Sequence, residues 1–119
     1  MNYNHTSYRK IKLTHHSLER ACERLNLTTQ DEVKQAAGRA RFKGINVENL
    51  NINNYEKLNV PYSIMISIKR NFSLRTESTK LFYYKGYVYV FAGNKALTLK
   101  TIVPVNDEKY TDIQEPTFN

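Results

Sequence analysis

The period of hydrophobic and polar residues changes along this chain, and the changes mark its elements. Tyr8 to Leu13 alternates basic and apolar residues, which fits a short strand or a lead-in. Thr14 then offers an N-cap hydroxyl to a helix over about His15 to Asn26. At 100° per residue Leu18, Ala21, Cys22 and Leu25 share one sector, the predicted core stripe, so the Cys22 thiol is expected to be buried. A second helix is predicted from about Gln30 to Phe42. Thr28 or Thr29 caps it, Asp31 or Glu32 completes a capping box, and Gly44 serves as the C′ residue. Its apolar set is Val33, Ala36, Ala37 and Ala40, a shallow stripe suited to close packing. Over residues 45–59 a short helix between Val47 and Leu58 and an irregular loop both fit.

After Pro61 the period becomes two. Ile64, Ile66 and Ile68 alternate with Met65, Ser67 and Lys69, which predicts a strand. Lys80 to Tyr84 and Tyr87 to Phe91 predict a hairpin about Lys85-Gly86, where a glycine permits the positive φ of a two-residue turn. In that register Tyr84 faces Tyr87, Tyr83 faces Val88, Phe82 faces Tyr89 and Leu81 faces Val90. One face then carries Leu81, Tyr83, Val88 and Val90, and the aliphatic character of this face predicts that it meets the helices. The other carries Lys80, Phe82, Tyr84, Tyr87, Tyr89 and Phe91. Gly93-Asn94 marks a turn, and Ala96 to Val103 reads as a further strand ended by Pro104. Two helices followed by strands imply an α+β class: two N-terminal helices packed on a C-terminal antiparallel meander of about four strands.

Composition narrows the function classes. The 119 residues carry a net charge of +7. Residues 106–119 hold one basic and four acidic side chains, a −3 tail, which leaves +10 on residues 1–105. The expected organisation is one domain over 1–105 and an acidic, flexible tail over 106–119. A body this basic suits a polyanion, although solvated surface lysines give the same charge. A single cysteine excludes an intramolecular disulfide framework and a cysteine-rich zinc module. No apolar run reaches the ~18 residues of a membrane span. The polar start lacks the features of a secretory signal, so a cytoplasmic location is expected.

Two constellations could carry chemistry. On the first helix His16, Arg20 and Arg24 recur at i, i+4, i+8, opposite the apolar stripe, with Glu19 and Glu23 on the flank. An imidazole beside two guanidinium forks suits a phosphodiester, the first moving a proton and the others holding phosphate charge. The same spacing also describes an ordinary amphipathic helix with a basic outer face. On the sheet, tyrosines interleaved with lysine can stack bases and contact phosphates. They can equally stabilise the hairpin or form a homodimer interface. Lys34, Arg39, Arg41 and Lys43 make the second helix basic. No metal or other cofactor is implied, because the sequence has no carboxylate cluster, His/Cys ligand set or phosphate loop.

Residues Leu13 to Leu25 (LTHHSLERACERL) resemble the opening helix of the RelE-like proteins of bacteria and phages, which reads roughly T-x-H-A-x-x-R-x-x-x-R. Leu27 to Ala37 (LTTQDEVKQAA) is similar to that family's second helix. Gly86 to Phe91 (GYVYVF) and Leu99 to Pro104 (LKTIVP) are similar to its terminal strands. The resemblance covers about residues 12–44 and 79–105. Residues 45–78 exceed the usual connection and read as an insertion, and the acidic tail lies outside the pattern. It implies a barnase-, colicin- or RelE-type fold and a metal-independent endoribonuclease or toxin. His16 would then act as general base or acid, Arg20 and Arg24 would stabilise phosphate charge, and Thr101 would match the terminal-strand threonine. Lys80, Tyr84, Tyr87, Lys100, Arg39 and Arg41 would position RNA, with an antitoxin or host protein as a further partner. The competing expectation is a non-catalytic bacterial or phage protein that grips nucleic acid or a host protein with the same surface.

Overall fold

In the computed structural model, residues 8, 10–47, 62–73, 79–93 and 97–105 are described. The predicted acidic tail over 106–119 and most of the 45–59 stretch lie outside them. The elements run β1 (Lys12–Leu13), α1 (His15–Leu25), α2 (Gln30–Lys43), β2 (Ile45–Asn46), α3 (Tyr62–Ser73), β3 (Lys80–Tyr84), β4 (Tyr87–Ala92) and β5 (Thr98–Pro104). The fold is α+β, with a five-stranded mixed sheet in the order β1-β5-β4-β3-β2. The β3–β4–β5 meander is antiparallel, β2 adds antiparallel to β3, and β1 adds parallel to β5.

Local chemistry sets the helix ends. Thr14 caps α1 in a capping box with Ser17, and Thr29 caps α2 in a box with Glu32. The backbone N–H groups of Thr28 and Thr29 hold the Glu32 carboxyl below the usual carboxylate range. Asn26 ends α1 in the left-handed conformation, at φ 58°. Gly44 ends α2 differently from the expected C′ glycine. Its φ of −77° and ψ of 177° are open to any residue. What requires glycine is proximity, since a Cβ there would sit 2.2 Å from the Ala40 carbonyl oxygen and 2.7 Å from that of Tyr83. The end of α2 therefore lies directly on β3, and the chain continues into β2 beside it.

The hairpin has the predicted register, with Tyr84 opposite Tyr87 and Leu81 opposite Val90. Lys85 and Gly86 both take positive φ, 48° and 89°, as a two-residue turn of this twist demands. The faces are used differently from the expectation. The aromatic side, with Tyr89 and Phe91 buried and Phe82, Tyr84 and Tyr87 partly so, packs with Ala21 of α1 and Val33, Ala36, Ala37 and Ala40 of α2. Large rings fill the space that an alanine stripe leaves, and Phe82 and Phe91 meet edge to face at 5.8 Å. The aliphatic side (Leu81, Val88, Val90, Val103) packs instead with Ile64, Met65 and Ile68.

Those three residues correct the predicted strand over 64–68, which is the middle of helix α3. Ile64, Met65 and Ile68 also satisfy i, i+1, i+4, so one side of a helix buries them, while Ile66 is only half-buried. A second apolar sheet face had to be covered, and this tertiary demand overrode the β propensity of the isoleucines. The core consequently has two parts, one on each side of the sheet. Cys22 is a second correction, because its thiol is exposed. The residues of α1 that are fully buried are Ser17 and Ala21, so the buried stripe is rotated from the predicted sector. Ser17 can be buried because its hydroxyl donates to the Thr14 carbonyl and accepts from the Thr14 N–H.

Candidate nucleic-acid interface

The α1 constellation comes first. His16 is exposed, and its neighbour His15 lies 3.4 Å from the Glu19 carboxylate. The Arg20 guanidinium pairs with Glu23 at 2.9 Å. Arg24 reaches across to β5, where its guanidinium donates to the Ile102 carbonyl. Strand β1 pairs with Thr98 and Leu99 of β5, so Ile102 lies on a stretch of that edge that no strand among the described residues covers. Thr101 is buried and pairs with Val90, whose side chain faces α3. Cross-strand partners share a face, so the sheet separates the Thr101 hydroxyl from α1. The structure thus leaves His16, Arg20 and Arg24 along one helix but does not bring Thr101 to them.

Lys80 and Lys100 are also dispersed. Lys80 begins β3, at the end away from the hairpin turn. Lys100 is exposed and has no partner on β4, because Val90 pairs with Thr101 and Phe91 with Leu99. It is the extra residue of a β-bulge. Arg41 is exposed on α2, about 200° around the helix from Arg39.

Tyr84, Tyr87 and Arg39 do come together. They line a cleft of about 450 Å³ between the end of α2 and the hairpin turn, with Lys43, Lys85 and Tyr89. Leu25, Leu27 and Ala36 form its apolar part. Ala36, Arg39 and Lys43 follow helical spacing along α2, and the tight Gly44 crossing sets Lys43 beside β3. The two cores fix the sheet beneath.

Within the cleft the groups are held. The Tyr87 hydroxyl donates to the Arg24 carbonyl at 3.0 Å, which anchors the ring. The Lys85 ammonium sits 5.4 Å from the centre of the Tyr84 ring, within cation–π range. Burial pushes the Tyr89 phenol up to about 12, against the opposing pull of the Arg39 charge. Tyr89 is therefore a neutral hydroxyl at physiological pH. Among the described residues that line the cleft there is no carboxylate, histidine or cysteine. The arrangement presents three cations, the partly exposed rings of Tyr84 and Tyr87 beside the buried Tyr89, and an apolar wall.

Sequence reasoning missed Lys43, Lys85 and Tyr89 as site residues. The hairpin register already put Tyr89 on the face of Tyr84 and Tyr87, and Lys85 at their turn. The missing information was which helix covers that face. Among the described residues no group of three or more His, Cys, Asp or Glu could hold a metal ion, and no helix is long and apolar enough to cross a membrane. Comparison with protein-family models, curated proteins and solved structures finds no match.

Proposed function

We propose that this protein binds single-stranded RNA through the cleft between α2 and the hairpin, and that it does so without cutting it. The observation that carries this reading is the convergence of Arg39, Lys43 and Lys85 on Tyr84, Tyr87 and Tyr89, with no carboxylate among the described lining residues. Cations take phosphates, and phenol rings stack on unpaired bases, which a duplex keeps to itself. The +10 charge of residues 1–105 attracts the strand from a distance. A ribonuclease of the RelE-like kind would need an acid–base group at the bound phosphate. His16 is the candidate the resemblance supplies, and it is not among the residues lining the cleft.

The test is a pair of measurements on the same RNA in EDTA. Anisotropy with labelled RNA is expected to show binding that weakens in Lys43→Gln and is unchanged in His16→Ala. Gel analysis after long incubation is expected to show intact RNA. Cleavage by the wild type that disappears in His16→Ala would replace this proposal with the ribonuclease reading.

A further inference from the structure

The cleft is small for a strand and strongly charged for one internal linkage. Its volume of about 450 Å³ lies toward the low end of the ~300–1,000 Å³ of small-molecule sites, so one nucleotide fills it. Three cations converge there: Arg39, Lys43 and Lys85. An internal phosphodiester brings a single negative charge, whereas a terminal phosphate carries about −1.5 to −2 at neutral pH. A nucleoside di- or triphosphate brings more. The charge of the cleft therefore matches a phosphate end and exceeds what a linkage within a strand supplies.

The surroundings agree. Lys80 lies at the other end of β3, ~13 Å along the strand from Tyr84 at ~3.3 Å per residue. Lys100 projects from the bulge of β5, and Arg41 lies on another side of α2. None of these extends the cleft into a cationic track along which a continuous backbone would run. The base side is prepared as well. Leu25 and Leu27 supply an apolar wall, and the Tyr87 ring is already fixed through its hydroxyl, so a stacking base loses little freedom to the protein.

We infer that the cleft is a subsite for one nucleotide carrying a terminal phosphate, filled either by a phosphorylated end of an RNA strand or by a free nucleoside phosphate. This rests on the proposed reading of the cleft as an RNA site.

The experiment is competition against a fluorescein-labelled RNA of about ten nucleotides. Unlabelled strands of the same sequence carry a phosphate at the 5′ end, at the 3′ end, or at neither, and UTP is a fourth competitor. A phosphate at one of the ends is expected to improve competition about tenfold over the hydroxyl-ended strand, because it adds charge-assisted hydrogen bonds. UTP is expected to compete too, and its rank against the phosphorylated strand says which source fills the cleft. The double variant Lys43→Gln/Lys85→Asn is expected to lose the advantage. Both side chains are exposed, and asparagine tolerates the left-handed backbone at position 85, so the fold is retained, as circular dichroism would verify. Equal competition by all strands would overturn the subsite and leave RNA binding standing. A phosphate advantage that survives in the double variant would also overturn it. Failure of the labelled RNA to bind at all would instead overturn the reading on which it rests.

Discussion

Salt dependence separates a cleft from a charged surface, and its size follows from the lining. Among the described residues three cations line the cleft, and these neutralise up to three phosphate charges. For a single strand the slope of log K against log salt is about −0.7 per neutralised phosphate, giving about −2 here. Between 50 and 200 mM salt the affinity would then fall about 20-fold. If the whole +10 of residues 1–105 took part, the same rule gives a slope near −7 and a loss above about 10⁴-fold. The perturbation is Lys85→Asn, which removes one cation at the turn and should reduce the slope by about 0.7. The assay is fluorescence anisotropy of a labelled RNA at five salt concentrations, for both proteins. A wild-type slope steeper than about −4, or one that Lys85→Asn leaves unchanged, would refute the reasoning. The strand would then lie on the general basic surface, and the cleft would be incidental to it.

Three further outcomes are expected. Gly44→Ala sets a Cβ against two backbone carbonyls, at 2.2 and 2.7 Å, and should destabilise by about 2–4 kcal/mol, lowering Tm by roughly 10 °C in calorimetry. A change under about 0.5 kcal/mol would mean that α2 does not crowd β3 as described. The Tyr89 phenol ionises near 12 when folded, above its ordinary value of 10, so the folded state holds this proton more tightly than the unfolded chain. Its stabilising share is full below pH 10 and is lost as pH rises towards 12, by about 2–3 kcal/mol. Urea melts of wild type and Tyr89→Phe at pH 8 and 11 should show the variant losing less over that interval. The Cys22 thiol, being exposed, should react with a thiol reagent in the native protein as fast as in urea at the same pH, and strong native protection would contradict the placement of α1.

Much of the fold was legible because local signals agreed with the final packing. Thr14 marked one helix start and the pair Thr28-Thr29 the other, and the register of the β3–β4 hairpin followed from one turn. The errors arose where the answer lay in a distant partner. The segment from Ile64 to Ile68 fits a strand and a helix alike, and only the bare valine face of the meander decides for the helix. The choice of face beneath α1 and α2 depended on volume, since alanines leave room for rings. Cys22 lies on the same side of the true buried stripe as Leu18 and farther from it, so a shift of part of a turn moved the thiol outside. The cleft was half legible. Tyr84, Tyr87 and Arg39 stood out by type, whereas Tyr89, Lys43 and Lys85 became site residues only through the tight crossing at Gly44 and the turn geometry.

Arg24 invites one more conclusion. It looked like a ligand for phosphate, yet its guanidinium satisfies the Ile102 carbonyl on the stretch of β5 that β1 does not cover. Thr14 approaches the Leu99 and Lys100 carbonyls on the same strand, at 3.4 Å each. The side chains of Arg24 and of the capping Thr14 thus stand where another strand would dock and deny a second chain the acceptors it needs to extend the sheet. In Arg24→Ala the first symptom should be self-association, seen as a concentration-dependent rise in sedimentation coefficient, before any loss of affinity for RNA. Part of the basic character of α1 therefore guards against aggregation, a property that net charge alone would have credited to ligand binding.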